Sequence, residues 1–173
     1  SEIKHEHARL MLVRERLQAL AQASAQTEPA PAVVQMTERS GLLLRLKCLG
    51  PAFATTLTNE VFFRDFQNRR EVGAYLGLAP SPWRSGQIKR DQGIAKSGNP
   101  RARRTAIELA WLWLRHQPDS KLTQEYRRRT LNAGKRIKRV AIVALARKLV
   151  VALWRYLTTG LVPEGAVLKT AKA

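Results

Sequence analysis

The sequence predicts an all-α or mainly α protein. An N-terminal coiled-coil helix precedes a compact helical domain that opens with a helix–hairpin–helix and carries one long basic loop. Three observations predict it. Apolar residues recur at helical spacing through most of the 173 residues. Start and stop residues such as Asn99-Pro100 and Gly160 bracket those runs. No segment keeps up the two-residue alternation of a strand.

Residues 1–21 read as the first helix. Ile3, Leu10 and Leu17 fall seven apart, and Val13 and Leu20 fill the alternate seam position. Glu6 and Ser24 interrupt that seam, so an amphipathic helix packed on its own domain competes with a short coiled coil. Residues 22–32, rich in Ala, Gln, Ser and Pro, read as a linker. The expected domains are therefore a coiled-coil helix and linker over 1–32, a compact domain over 33–162, and a tail over 163–173.

Within the compact domain, Leu42 to Leu46 ends at Cys48-Leu49-Gly50, and Pro51 starts a helix running to about Val61. Asn68 with Glu71 resembles a capping box for a helix that stops at Gly77. Asn99-Pro100 starts a helix to about His116, before Pro118. Asp119 is read as opening the next helix and Gly134 as closing it. The last helix spans Lys138 to Thr158. Between Ala79 and Gly98 no period is clear, and a short hairpin between Trp83 and Ala95 is the strand-like alternative.

Charge narrows the function. Lys and Arg number 31 against 13 Asp and Glu, a formal net charge of +18. Self-repulsion on that scale is tolerated when a polyanion offsets it, so nucleic acid is the first candidate partner and an anionic membrane surface the second. No apolar run reaches the roughly 20 residues of a membrane span. Cys48 is the one cysteine, which excludes an intrachain disulfide and a thiolate zinc site and fits a reducing, cytoplasmic compartment. The chain starts at Ser1 rather than Met, which reads as a processed or truncated product.

The cations fall in two clusters. Arg84, Lys89, Arg90, Lys96, Arg101, Arg103 and Arg104 have only Asp91 among them; Arg127 to Arg129, Lys135, Arg136, Lys138 and Arg139 have no acid. Two clusters so short of counter-charge point to phosphate contact rather than to a merely solvated face. The Leu46–Pro51 hairpin adds a third element. Helix N–H groups after Gly50 can bind a phosphate, but Cys48 stands where the motif usually has Gly, and Cys disfavours positive φ. A plain interhelical turn is the competing reading. In the loop, Ser85 precedes Gly86 beside Arg84. A serine can exchange one phosphodiester for another without ATP, although Ser-Gly is also a common turn pair. His5 and His7 cannot share a helix face, and no metal site is expected from them. Trp111, Trp113 and Trp154 read as core or interface anchors, and Trp83 as a base-stacking or loop-ordering side chain. Tyr75, Tyr126 and Tyr156 lack the pattern of a tyrosine recombinase.

The run Gly73-Ala74-Tyr75-Leu76-Gly77-Leu78-Ala79-Pro80, then Ser85-Gly86, Gly93-Ile94-Ala95-Lys96, Gly98-Asn99 and Arg103-Arg104 resembles the C-terminal domain of the insertion-sequence one-ten transposases. These are the mobile-element recombinases that use a structured bridge RNA. Leu49-Gly50-Pro51, Gly134-Lys135 and the Val140–Leu149 helix match in order, so the resemblance covers about residues 35–162. It implies a serine that forms a 5′-phosphoserine link to DNA, carried over to Ser85, with Ser81 and Ser97 as the neighbours to exclude. Arg84 with Lys89 or Arg90 would clamp phosphate. Lys96, Arg101, Arg103, Arg104, Arg127, Arg128, Lys135, Arg136 and Gly50 would contact nucleic acid. DNA, a structured RNA and further copies of the chain in a dimer or tetramer are the implied partners, with no membrane. The family's metal-binding RuvC-like nuclease domain has no counterpart here, so Mg2+ is expected only in that missing part and inactivity of the chain alone is an expectation. A non-catalytic nucleic-acid-binding module and, more remotely, a ribosome-associated basic protein fit the same cations.

Overall fold

The structure is a computed structural model describing residues 2–26, 30–85, 88–94 and 97–170; side chains of residues 2–6, 8, 24–26, 80–85 and 88–93 lie outside the description. Among the described residues there are seven helices and one antiparallel strand pair. The helices are α1 (Glu2–Gln26), α2 (Pro31–Leu44), α3 (Pro51–Glu60), α4 (Arg69–Tyr75), α5 (Pro100–His116), α6 (Lys121–Thr130) and α7 (Lys135–Thr159). The strands are β1 (Pro80–Ser85) and β2 (Ile88–Ile94). The chain divides into two units, Ser1–Val34 and Gln35–Ala173.

In the first unit, α1 runs five residues past the expected end at 21, so much of the expected linker is helical. The Ala-Gln-rich stretch has high helix propensity, which outweighs its polarity. The seam residues Leu10, Val13, Leu17 and Leu20 are all exposed.

The second unit is organised around α7, which packs against α4, α5 and α6. Its buried residues Ile142, Leu145, Leu149 and Leu153 follow the three-to-four spacing of one helix face. Leu109 and Trp113 of α5, Leu57 of α3 and Val72 of α4 complete the core. Trp113 donates its indole N–H to Ser120 Oγ at 2.7 Å, so the largest core side chain has no unpaired polar atom. Trp111 is instead half exposed and meets Tyr126 edge-on at 6.5 Å.

Caps fix the helix starts. Asn68 accepts from the N–H groups of Arg70 and Glu71, and Asn99 from those of Arg101 and Ala102. Two boundaries differ from expectation. Ser120, not Asp119, caps α6, because its Oγ accepts from Thr123 N while its backbone is extended. Gly134 does not close α6 but precedes α7 as its N-cap, at φ −69 and ψ 169. Gly160 ends α7 in the left-handed conformation at φ 75.

The expected long basic loop is a ribbon instead. Its register pairs Pro82 with Asp91, Trp83 with Arg90, Arg84 with Lys89 and Ser85 with Ile88, with an irregularity between Pro80 and Pro82. The strand-like alternative, a short hairpin between Trp83 and Ala95, is thus the one that holds, although the prolines weaken its signal in the sequence. A two-stranded ribbon leaves each strand one unpaired edge, and there a missing N–H is tolerated.

The segment after α7 is bound rather than trailing. Leu168 forms a β-bridge with Leu46, Lys47 N–H donates to Val167 O at 3.0 Å, and Lys169 N–H donates to Arg45 O at 2.7 Å. Gln117 of the α5–α6 turn joins them. Its amide donates to Lys47 O and Val167 O at 2.8 and 2.9 Å, and its carbonyl accepts from Val167 N–H at 2.8 Å. No described helix is long and apolar enough to cross a membrane.

Candidate nucleic-acid interface

The α2–α3 turn keeps a left-handed step at Cys48, with φ 86. The expectation that Cys would forgo positive φ is therefore corrected. The lost freedom is offset by tertiary bonds on both sides: Lys47 is tied to Val167, and the Lys169 ammonium donates to Leu49 O at 2.6 Å. Burial pushes the Cys48 thiol up to about 12, against a smaller opposing pull from the Lys169 charge. Gly50 then caps α3 without a side chain, and Pro51 follows at the first helical position. An N-terminus of this kind carries N–H groups that the helix itself does not use.

The ribbon is held at its root. Gly77 at φ 66 and Gly98 at φ 90 lie where the two ends of the ribbon segment meet. A Cβ on Gly77 would sit 1.9 Å from Ser97 O, and one on Gly98 would sit 2.0 Å from Tyr75 O. Asn99 N–H donates to Tyr75 O at 3.2 Å across the same junction. Arg103 adds its guanidinium, donating to Leu76 O at 3.2 Å and Ser97 O at 3.4 Å. Glu60, at the end of α3, accepts from Asn99 Nδ2 at 2.6 Å and pairs with Arg101 at 3.4 Å.

These contacts sort the residues anticipated in this region. Arg101 has a carboxylate partner and Arg103 binds backbone carbonyls, while Arg104 is exposed one residue further along α5. Arg84, Lys89, Arg90 and Ser85 have described backbone in the ribbon, and Ser85 is the last residue of β1. The Lys96 expectation lies outside the described residues. Ser97 is exposed, and its carbonyl is the one that Arg103 binds.

The second cluster lies at one end of the α6–α7 pair. Arg127 and Arg128 occupy the last turn of α6, Lys135 and Arg136 the first turn of α7, and all four are exposed. Arg127 to Arg129 suit a helix C-terminus, whereas cations in α7's first turn oppose its positive end. The preceding acid, Glu125, is held by Lys148 at 2.6 Å. That bond lowers the carboxyl's pKa first, with the charges of Lys148, Lys121 and Arg128 lowering it further. Lys148 is thus the chief partner of Glu125, with Arg128 a weaker one.

Among the described residues, no three His, Cys, Asp or Glu side chains gather as a metal site.

Sequence missed Glu60, Gln117 and the junction of Gly77 with Gly98. Only the Asn99 cap gave a local signal for any of them.

Known proteins resemble this chain in sequence. A model of the transposase IS116/IS110/IS902 family matches residues 40–125, a span from the α2–α3 turn through the ribbon and α5 into α6. The Sinorhizobium fredii protein y4rJ, which carries a transposase name, is 53% identical over 144 residues. That alignment takes in 83% of this chain and 34% of y4rJ, so the chain spans about a third of that relative's length. The family match covers the turn, the ribbon and its root, and the chain belongs to the IS116/IS110/IS902 transposase family.

Proposed function

We propose that this chain binds DNA together with a structured RNA and carries the strand-exchange serine of a transposase, with Ser85 as the nucleophile. The observation that carries the reading is the ribbon register. Arg84 and Lys89 occupy directly opposed positions, and Ser85 with Ile88 forms the next and last pair. Like charges directly opposed destabilise a ribbon unless an anion lies near them. A phosphodiester is such an anion, and Ser85 lies in the adjoining pair at the same end of the ribbon.

The step balances without an energy source. Ser85 Oγ attacks phosphorus, the Oγ–P bond forms, and the P–O3′ bond breaks. The serine proton ends on the 3′ oxygen, leaving a 5′-phosphoserine and a free 3′-hydroxyl. Arg84 and Lys89 or Arg90 stabilise the extra negative charge on the phosphoryl oxygens. The root contacts at Gly77, Gly98 and Arg103 limit how far the ribbon can swing, which keeps nucleophile and phosphate in register.

Exposed Arg104, Arg127, Arg128, Lys135 and Arg136, together with the uncapped start of α3 at Gly50, hold backbone phosphates in this reading. The exposed α1 seam pairs copies of the chain. The test uses a full-length family member carrying this domain, its RNA and a nicked duplex labelled on the strand segment 3′ of the break, the segment that a 5′-phosphoserine retains. A protein–DNA adduct that resists denaturant and vanishes in Ser85→Ala is expected. An adduct that persists in Ser85→Ala, or maps to Ser81 or Ser97, overturns the site. The non-catalytic module is favoured by one observation, the hairpin geometry kept at Cys48, and it predicts salt-sensitive binding with no adduct at all.

A further inference from the structure

We propose that the α6–α7 turn is a wedge. Leu131 enters an unstacked step of a distorted duplex, and the arginines around it hold the flanking phosphates. This rests on the nucleic-acid reading above and adds what that surface recognises: a mismatched, bulged or kinked site rather than regular B-form DNA.

Leu131 is 78% exposed, the highest value among the large apolar side chains described. Ile137 and Val140, at 51% and 60%, follow within nine residues. Solitary exposed leucines need no explanation, but three large apolar side chains around one turn do. The turn is also stiff. Leu131 keeps helical geometry at φ −50 and ψ −47, Ala133 N–H donates to Thr130 O at 3.1 Å, and Thr130 Oγ1 donates to Tyr126 O at 2.8 Å. A side chain on such a support is presented, not trailing in solvent.

The surroundings select the partner. Seven cations lie between 127 and 139, five of them Arg, and no Asp or Glu occurs from 126 to 163. Gly134 leaves the start of α7 without a side-chain cap, and no acid stands in its first turn. Apolar side chains set among arginines match the way architectural proteins unstack a base step while gripping its phosphates. A lipid surface fits less well. The long apolar face of α7, from Ala141 to Tyr156, is already buried in the core, so no amphipathic stripe remains to lie in a bilayer.

The experiment measures binding of the whole chain to three duplexes: fully paired, with one mismatch, and with one bulged base. Each carries 2-aminopurine beside the central step. Expected are about tenfold tighter binding to the mismatched and bulged duplexes and a rise in 2-aminopurine fluorescence on binding. Leu131→Ser should abolish both the preference and the rise, while affinity for the paired duplex stays within about twofold. Because Leu131 is exposed, the variant should melt with the parent. Arg128→Ala should weaken all three duplexes alike. Equal binding to all three by the parent, or a preference that survives in Leu131→Ser, overturns the wedge while leaving DNA binding intact. Failure to bind any duplex overturns the nucleic-acid reading as well. If Leu131→Ser instead lowers the sedimentation coefficient with no change in fluorescence, the turn contacts a second copy of the chain and the wedge is refuted.

Discussion

Replacing Gly98 with Ala should loosen the root of the ribbon more than any other glycine-to-alanine change at positive φ outside that junction. Gly98 sits at φ 90, and an added Cβ would lie 2.0 Å from Tyr75 O and 2.9 Å from Tyr75 C. Left-handed backbone costs a non-glycine residue about 1–2 kcal/mol. Relieving the overlap needs a backbone shift of about 1 Å, because real contacts of this kind begin near 3.0 Å. That shift sacrifices the Asn99 N–H to Tyr75 O bond of 3.2 Å, worth about 1 kcal/mol. Alanine's smaller unfolded-state entropy returns about 0.4–1 kcal/mol. The net loss is about 2 kcal/mol, or about 6 °C in Tm for a unit of this size. Gly160→Ala is the control: it shares the left-handed φ, at 75, but has nothing within 4 Å. It should lose only about 1 kcal/mol. Urea unfolding followed by circular dichroism reads both. Equal midpoints for the two variants would refute the claim that close backbone packing at the junction, rather than φ alone, demands glycine.

Gln117→Ala removes three bonds from a buried side chain and leaves Lys47 O and Val167 N–H without these partners, while Val167 O keeps the Lys47 N–H, a cost of about 2 kcal/mol. Hydrogen exchange should show the Val167 amide losing protection first, and unchanged protection would contradict the clamp. Cys48 should react with a thiol reagent at pH 8 about 10³-fold more slowly in the folded protein than in urea, given a shift from 9.0 to about 12. The same shift means the folded state holds the thiol proton between those values while the unfolded state releases it. Stability should therefore fall as pH rises through 9 and above, and Cys48→Ser should flatten that alkaline slope. Replacing Arg127, Arg128 and Arg129 together with Ala should weaken DNA binding across sequences and reduce the slope of log affinity against log salt by up to about 3. An unchanged slope would remove α6 from the interface.

Local signals were legible and distant ones were not. Asn68, Asn99 and Gly160 act within four residues of themselves, so their caps could be read directly from the chain. Gly134 shows the limit. The same residue type ends one helix or starts another, and the choice follows from backbone angles set by how α6 and α7 pack. The ribbon was legible only as an alternative, a short hairpin between Trp83 and Ala95, because Pro80, Pro82 and the glycines mask strand periodicity and antiparallel pairing joins residues that carry no shared pattern. Cys48 adopts the glycine conformation because residues 167–169, more than a hundred positions later, hold its neighbours. Of the candidate site, the cation clusters and the serine were visible as composition. That Arg101 meets Glu60 and Arg103 braces Leu76 required the third dimension.

The bond between the α2–α3 turn and residues 167–169 has a consequence for the order of folding. During synthesis, residues 45–49 emerge long before Val167 and Lys169 exist to bind them. Until then nothing compensates the unfavourable angles at Cys48. The turn should therefore sample several conformations in the nascent chain and settle only after α7 has formed and its trailing strand has docked. Contacts of such long sequence separation are closed late because loop closure is costly. The turn's final geometry then depends on successful completion of the chain, so a ribosome stalled before residue 167 would carry a helical domain whose α2–α3 turn is still unset.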